Sequence, residues 1–325
     1  MSIDPLAALA AASLDKFDLP DGAVPTLINV SENTTYRVDD ATSGRRWALR
    51  IHRPGYHSPT AIQSELAWAK AVRDAGAAIT PTAIAGRDGG LLQVVTHPSV
   101  NRPRVAVLFA WEEGREPAEG DASAFGQLGE IAARMHDQAR IWQPPKWFDR
   151  HVWDFETSLG STPHWGSWRD GMGMTPEVLA IFERTAELIR NRLEAFGKGP
   201  EQFGLVHGDM RLANLLVDGD TVKVIDFDDC GFSWLLYDCA VTVSFFEHRP
   251  EVPALLAAWV AGYRRVRPLS AQDEAEIATF VMLRRLLLVA WIGSHSETDL
   301  AQSTGAQYTA DTVRLCEDYL ALMRG

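Results

Sequence analysis

The chain has 325 residues, of which 46% are hydrophobic and 23% are charged, so we expect an ordered protein with a sizeable core. Its 43 acidic residues outnumber its 31 basic residues, and the formal net charge of -12 disfavours nucleic acid and anionic membranes as partners. The cysteines Cys230, Cys239 and Cys316 are odd in number and lack metal-ligand spacing, which favours a reducing, cytoplasmic location.

The first hundred residues predict one helix and a small antiparallel sheet. The alanine-rich run at residues 6–14 has an acidic residue on each side and no basic residue before it, so we expect an ordinary helix rather than a secretion signal. Short β-forming runs separated by polar turns predict strands at residues 27–30, 36–38 and 47–51. A second pair of strands is predicted at residues 91–95 and 104–109.

A second helix is predicted in this region, at residues 60–75, and sequence signals indicate where it begins and ends. Ser58-Pro59 supplies an N-cap followed by proline at the first helical position, and Gly76 stops the run. Glu65 shares a helical face with apolar residues, so its carboxylate is predicted to point inward, where it needs a partner.

Helical patterns dominate after residue 114. Residues 123–139 and 176–196 predict long helices, and two short strands are predicted between residues 204 and 227. The longest apolar stretch, residues 286–293, is too short to span a bilayer. The boundary between the two patterns predicts a small antiparallel-sheet lobe at residues 1–110 and a larger, mostly helical lobe at residues 111–325, an α+β fold.

The segment from residue 205 to residue 229 carries the strongest chemical signal. Gly219-Asp220 predicts a two-residue hairpin, which places Asn214 opposite Ile225 and beside Asp226. Amide and carboxylate oxygens are the hard donors that Mg²⁺ prefers, so Asn214 and Asp226 are candidate magnesium ligands.

Asp209 lies five residues before Asn214, on the turn that precedes the hairpin, and is the candidate base. Phosphoryl transfer has a loose transition state, so an aspartate that orients a substrate hydroxyl beside the metal is sufficient. The spacing of Asp209 and Asn214, followed by an apolar strand and Asp226, resembles the catalytic loop and metal-binding segment of kinases.

With His207-Gly208-Asp209 and with Asp226-Phe227-Asp228, the chain resembles the aminoglycoside phosphotransferase and choline kinase superfamily, and its stress-response kinase and type II homoserine kinase branch most of all. The similarity spans roughly residues 27–291. It implies a protein-kinase-like, two-lobed fold, ATP and Mg²⁺ as cofactors, Asp209 as base and Asp228 as an additional metal ligand.

The same resemblance implies a nucleotide site in the first lobe. Arg50 stands where such kinases usually have lysine, and Glu65 is its expected partner; the alternative is a surface arginine and a solvated glutamate. The loop expected over the phosphates has no glycine, and its candidate ligands are Ser31, Asn33 and Thr34. Phe109 and Trp111 resemble the hinge that pairs with adenine, although apolar residues at a lobe boundary also serve as packing.

Two more residues near the catalytic segment have expected roles. Arg211 is predicted to touch the γ-phosphate, with a surface ion pair as the alternative. Asp238 resembles the superfamily's structural aspartate, which braces the catalytic loop by hydrogen bonds.

The function implied is an ATP- and magnesium-dependent transfer of the γ-phosphate to a hydroxyl of a small molecule: an aminoglycoside, an amino alcohol or a homoserine-like compound. The alternatives are a protein Ser/Thr kinase, a nucleotide-binding regulatory protein without turnover and a metal-dependent hydrolase. Neither the acceptor nor the oligomeric state follows from the sequence.

Arg284-Arg285 interrupts an apolar helical run at residues 277–291. A buried charge demands a partner, so one hypothesis is a structural ion pair with an acid such as Asp229 or Asp238. The other is that one arginine lines the acceptor cleft with Trp291 and His295 and binds an acidic group of the acceptor.

Overall fold

The computed structural model describes residues 5–30, 33–296 and 298–324. The chain divides into two compact units. The N-terminal unit contains residues 1–114 and 143–150, and the C-terminal unit contains residues 115–142 and 151–325. The sequence pattern had not indicated that residues 143–150 return to the first unit.

The N-terminal unit is built on an antiparallel sheet of six strands in the described residues, in the order β1-β2-β3-β6-β4, with β5 also pairing with β6. The strands are β1 (Ala23–Val30), β2 (Thr34–Asp40), β3 (Arg46–Ile51), β4 (Ala83–Ile84), β5 (Gln93–Val95) and β6 (Arg104–Ala110). The helices are α1 (Pro5–Leu14) and α2 (Pro59–Asp74). The predicted strands are therefore confirmed, and β4 is an addition to them.

Helices α1 and α2 pack against different parts of this sheet. Burial alternates along β2, as expected for a strand with one face in the core. Leu9 and Ala10 of α1 join the main cluster, which includes Tyr36 and Leu49, whereas Ile62 of α2 belongs to a separate cluster.

The predicted ends of α2 are confirmed. The Ala61 amide donates to the Ser58 hydroxyl at 3.0 Å, and the helix ends before Gly76, whose φ is +67°. The returning segment is fastened to this helix, because the Asp149 amide donates to the Ser64 hydroxyl at 2.9 Å.

The C-terminal unit is mostly helical. Its helices are α3 (Ala122–Ile141), α4 (Phe155–Ser158), α5 (Pro176–Phe196), α6 (Tyr237–Val241), α7 (Val252–Arg264), α8 (Ala271–Ala275), α9 (Ile277–Ser294) and α10 (Asp299–Leu322). Two antiparallel strand pairs accompany them: β7 (Phe203–Val206) with β10 (Gly231–Trp234), and β8 (Leu215–Asp218) with β9 (Thr221–Val224). The sequence predicted two strands between residues 204 and 227. The structure has three there, β7, β8 and β9, and β10 follows them.

Helix α9 is buried along nearly its whole length, including both arginines. The apolar run at residues 286–293 is part of a longer helical stretch, Ala271–Ser294, which is long and apolar enough to cross a membrane. Within the protein, however, 78% of its apolar window is buried, as in the core helix of a globular unit.

Candidate active site

The hairpin of β8 and β9 forms as predicted and sets the position of the candidate metal ligands. Asp218 faces Thr221 across the turn, and the Ile225 amide donates to the Asn214 carbonyl at 2.9 Å beyond the paired strands. Asn214 and Asp226 therefore flank the open end of the hairpin. Asp226 is exposed and adopts a φ of +60°, a conformation that few non-glycine residues tolerate.

The backbone of the loop that carries Asp209 is held by hydrogen bonds to Asp238, at the start of α6. The carboxylate of Asp238 accepts hydrogen bonds from the backbone amides of His207 (3.1 Å) and Gly208 (2.8 Å) and from Nε2 of His136 (3.0 Å). Burial raises the pKa of Asp238, but the hydrogen bonds from His136 and the Gly208 amide, together with the nearby histidines, outweigh burial, and the net pKa is lowered. The expected bracing role of Asp238 is thus seen in its contacts.

His136 is held in turn by a second helix. Its Nδ1 lies 3.0 Å from the hydroxyl of Tyr263. His136 on α3 therefore connects Tyr263 on α7 with Asp238 on α6. Glycines allow α3 and α7 to approach closely, since a Cβ at Gly129 or Gly262 would overlap backbone atoms of the facing helix.

Gly208 is required by the shape of the loop. Its φ is +79°, and a Cβ at this position would lie 2.6 Å from the carbonyl oxygen of Asp229. The same carbonyl accepts a hydrogen bond from the indole of Trp153 at 2.8 Å. The segment after β9 thereby lies directly against the loop that precedes Asp209.

Asp209 is partly buried and has partners on both carboxylate oxygens. Oδ2 accepts from the amide of Asn214 at 2.7 Å and from Nε of Arg211 at 3.1 Å. Oδ1 accepts from Nη2 of Arg284 at 2.5 Å. An amide and two guanidinium groups therefore fix the direction of the carboxylate.

Asn214 bonds the backbone as well as the carboxylate of Asp209, because its Nδ2 also donates to the Asp209 carbonyl at 2.8 Å. Its amide oxygen is thus the atom that suits a cation, and the carboxylate of Asp226 supplies a second hard donor. These donors fit Mg²⁺. Asp228 is buried, in contrast to the exposed Asp226.

Arg50 and Glu65 form the predicted ion pair in the N-terminal unit, with Nη2 and Oε1 2.5 Å apart. The two side chains are 7% and 2% exposed, which excludes a surface arginine and a solvated glutamate. The Arg50 guanidinium also lies 5.2 Å from the ring centroid of Phe109, at the end of β6. Trp111 is half-buried, with Arg46 over its ring at 5.6 Å.

The loop predicted to bind phosphate joins β1 and β2. Ser31 lies outside the described residues. Asn33 and Thr34 are buried, and the Asn33 side-chain oxygen accepts a hydrogen bond from the Arg53 amide at 3.1 Å.

Both arginines of α9 are buried and paired, but the acids proposed as partners were wrong. Arg285 donates to Oε2 of Glu247 at 2.6 Å rather than to Asp229 or Asp238, and Arg284 donates to Asp209. Burial lowers the pKa of Arg284, but the neighbouring Tyr237 and Asp209 outweigh burial and the net pKa is raised, so its charge is permanent.

The comparison with known proteins assigns the family. Residues 26–270 match the model of the phosphotransferase enzyme family. The chain belongs to this family. The family predicted from the sequence is therefore confirmed. The predicted enzyme class is confirmed as well: the protein is a kinase that phosphorylates an alcohol group.

Similar solved structures confirm the protein-kinase-like α+β fold of this phosphotransferase. A microcompartment-associated aminopropanol kinase is 41% identical, with a TM-score of 0.89 and 98% of both chains covered. An amicoumacin kinase in complex with AMP-PNP, Ca²⁺ and Ami is 20% identical, with a TM-score of 0.77 over 98% of this chain and 93% of that chain.

Sequence relatives include the homoserine kinase of Neisseria meningitidis serogroup B. It is 26% identical over 203 residues, which are 60% of this chain and 60% of the relative.

Sequence reasoning missed the contacts that join distant helices to the loop of the phosphotransferase. His136 and Tyr263 lie on amphipathic helices, where a histidine or tyrosine is ordinary. Arg284 did give a signal, since a charge in an apolar run demands a partner. Its link to Asp209, 75 positions away, is a property of the folded chain.

Proposed function

We propose that the protein is an ATP- and magnesium-dependent kinase that phosphorylates the hydroxyl of a small amino alcohol. The observation that carries the proposal is the 41% identity to an aminopropanol kinase over 98% of both chains. The catalytic loop supports it, because Asp209, Asn214 and Asp226 supply the groups that such a transfer needs.

In the proposed reaction, Asp209 accepts the proton of the acceptor hydroxyl. The hydroxyl oxygen forms a bond to the γ-phosphorus of ATP as the bond from that phosphorus to the β–γ bridging oxygen breaks, and ADP leaves. Arg211, beside Asp209, is proposed to neutralise charge on the transferred phosphoryl group.

The oxygens of Asn214 and Asp226 are proposed to hold magnesium, with Asp228 as an additional ligand. A bound Mg²⁺ would neutralise charge on the phosphates and align them. In the N-terminal unit, Arg50 is proposed to bind the α- and β-phosphates while Glu65 fixes its direction.

The remainder of the nucleotide would use the other predicted residues of the N-terminal unit. Ser31, Asn33 and Thr34 are proposed to approach the phosphates, and Phe109 and Trp111 to approach adenine. The likeness to an amicoumacin kinase bound to AMP-PNP supports nucleotide binding by this fold.

The charges in the C-terminal unit favour an amino alcohol over an acceptor that must be held by its carboxylate. Arg284 and Arg285, the cations first considered for binding a carboxylate, are both buried and paired with acids of the protein. Asp229 lies next to the catalytic loop, where its backbone carbonyl approaches Gly208, and a negative charge in this region would favour an ammonium ion over a carboxylate.

A turnover screen tests this proposal. Purified protein with Mg-ATP is offered 1-amino-2-propanol, ethanolamine, choline, homoserine and an aminoglycoside, and ADP release is followed together with the mass of the phosphate ester. We expect the highest kcat/KM with an aminopropanol. Turnover confined to homoserine or to the aminoglycoside, or ADP release without an ester, would contradict the proposal.

The metal assignment has its own test, in which magnesium-dependent ATP binding is measured by titration. Asp226→Ala is expected to weaken binding more than Asn214→Ala, because a carboxylate gives the metal a charge that an amide lacks. Binding is the proper readout, since Asn214→Ala also releases Asp209. The reverse order would contradict the assignment.

A further inference from the structure

Arg284 lies at the centre of a buried polar cluster on α9. Its side chain is 2% exposed, and its three guanidinium nitrogens have three different partners. Nε donates to the Ser244 hydroxyl at 3.1 Å, Nη1 to the Tyr237 hydroxyl at 3.1 Å, and Nη2 to Oδ1 of Asp209 at 2.5 Å. The guanidinium also lies 5.2 Å from the ring centroid of Trp165. A planar group held at every nitrogen has one orientation.

Stability alone does not explain an arginine at this position. A buried ion pair is costly to desolvate, and apolar residues of similar volume often replace it without loss of stability. The neighbouring Arg285 is equally buried, but its partners Glu247, Thr312 and Tyr308 are not part of the catalytic loop. Arg284, by contrast, bonds the proposed catalytic base.

The hydrogen bonds of Asp209 show what this contact achieves. Each carboxylate oxygen can accept two hydrogen bonds. Oδ2 accepts two, from Asn214 and Arg211, whereas Oδ1 accepts one from among the described residues, that of Arg284. The remaining acceptor position of Asp209 is therefore on Oδ1, the atom that Arg284 holds.

We propose that Arg284 is a positioning residue that fixes Oδ1 of Asp209 so that its open acceptor position receives the hydrogen of the acceptor hydroxyl. This inference rests on the proposed function, in which Asp209 is the base. Asp238 braces the backbone of the loop, and Arg284, bonded to the preceding Tyr237, fixes the side chain. The adjacent residues Tyr237 and Asp238 therefore contact the two groups that hold Asp209: Tyr237 bonds Arg284, and Asp238 bonds the backbone of the loop.

The test compares Arg284→Met and Arg284→Lys with the matched control Arg285→Met, using Mg-ATP and 1-amino-2-propanol. Arg284→Met is expected to lower kcat about 100-fold with the Michaelis constant for ATP within about 3-fold of wild type, because misplacement of a catalytic group by about 1 Å has an effect of this size. Arg284→Lys, which keeps the charge but not the planar fork, is expected to recover about 10-fold of that loss.

Arg285→Met is expected to lower the melting temperature while kcat stays within about 3-fold of wild type. Equal losses of kcat in Arg284→Met and Arg285→Met, or an Arg284→Met kcat within about 3-fold of wild type, would overturn the inference. If Arg284→Met does not fold, Arg284→Lys carries the test through a kcat about 10-fold below wild type with the ATP Michaelis constant unchanged.

A crystal structure of Arg284→Met, or of Arg284→Lys if the methionine variant does not fold, separates this inference from the proposed function. If the wild-type protein phosphorylates no amino alcohol, the proposed function fails, but the position of Asp209 can still be compared. We expect its carboxylate to leave the wild-type rotamer in the variant. An unchanged Asp209 rotamer would overturn the positioning role whatever the substrate.

Discussion

Replacing Asp238 by asparagine removes one of the two acceptor oxygens that brace the catalytic loop. Asp238 is fully buried and accepts three hydrogen bonds, two from loop amides and one from His136. An asparagine side chain has one NH₂ group, which must face either the Gly208 amide or the donors at the other oxygen. In both orientations a buried donor faces a donor.

The expected cost is about 2–4 kcal/mol of unfolding free energy at pH 7, because at least one buried donor loses its acceptor, at about 1–3 kcal/mol per donor. It is a large fraction of the roughly 5–15 kcal/mol that stabilises a typical protein. The assay is urea unfolding of both proteins, with Asp74→Asn as control. Asp74 is exposed, in a surface pair with the exposed Lys70, so the control is expected to cost less than about 1 kcal/mol.

The loss should also depend on pH with a defined sign. The pKa of Asp238 is lowered in the folded protein, so its charge stabilises the fold above the unfolded pKa of about 3.9, and this contribution is lost as the pH falls through the folded pKa. The difference between wild type and Asp238→Asn should therefore be full at pH 5–7 and shrink below about pH 4. A difference under about 1 kcal/mol at pH 7, or one that grows on acidification, would refute the reasoning.

Three further predictions concern single positions. Glu65→Gln should raise the Michaelis constant for ATP, because Arg50 loses its counter-charge; steady-state kinetics with an unchanged constant would argue against the phosphate role. Gly208→Ala should cost about 2 kcal/mol or more in urea unfolding and reduce turnover, since φ is +79° and the Cβ meets a carbonyl; a neutral effect would contradict the close approach. Phe245 adopts a φ of +75°, so Phe245→Gly should be more stable than Phe245→Ala by about 0.5–1 kcal/mol, and the opposite order in urea unfolding would exclude strain there.

Local signals in the sequence were sufficient for the elements whose ends are chemically marked. The predicted helix at 176–196 coincides with α5, whose N-cap is Thr175 and which stops at Gly197. The Gly219-Asp220 turn fixed the register of the hairpin, and with it the positions of Asn214 and Asp226, because a two-residue turn leaves one pairing.

Contacts between distant segments could not be predicted in the same way. Strand β10 has only four residues, and its pairing with β7 depends on the folded chain. The partner of Arg284 is likewise decided by helix packing rather than by local sequence. A charged residue in an apolar run indicates that a partner exists, but the partner can be identified only from the tertiary structure.

The most direct test of the whole account is the turnover of Asp209→Asn with Mg-ATP and 1-amino-2-propanol, with the phosphate ester detected by mass and ATP binding measured by titration. The account predicts ester formation by the wild type, a kcat about 100- to 10,000-fold lower in the folded variant, and similar ATP affinity in both. A variant that retains kcat within about 10-fold of wild type, or that loses ATP binding in parallel with turnover, would contradict the role of Asp209 as base.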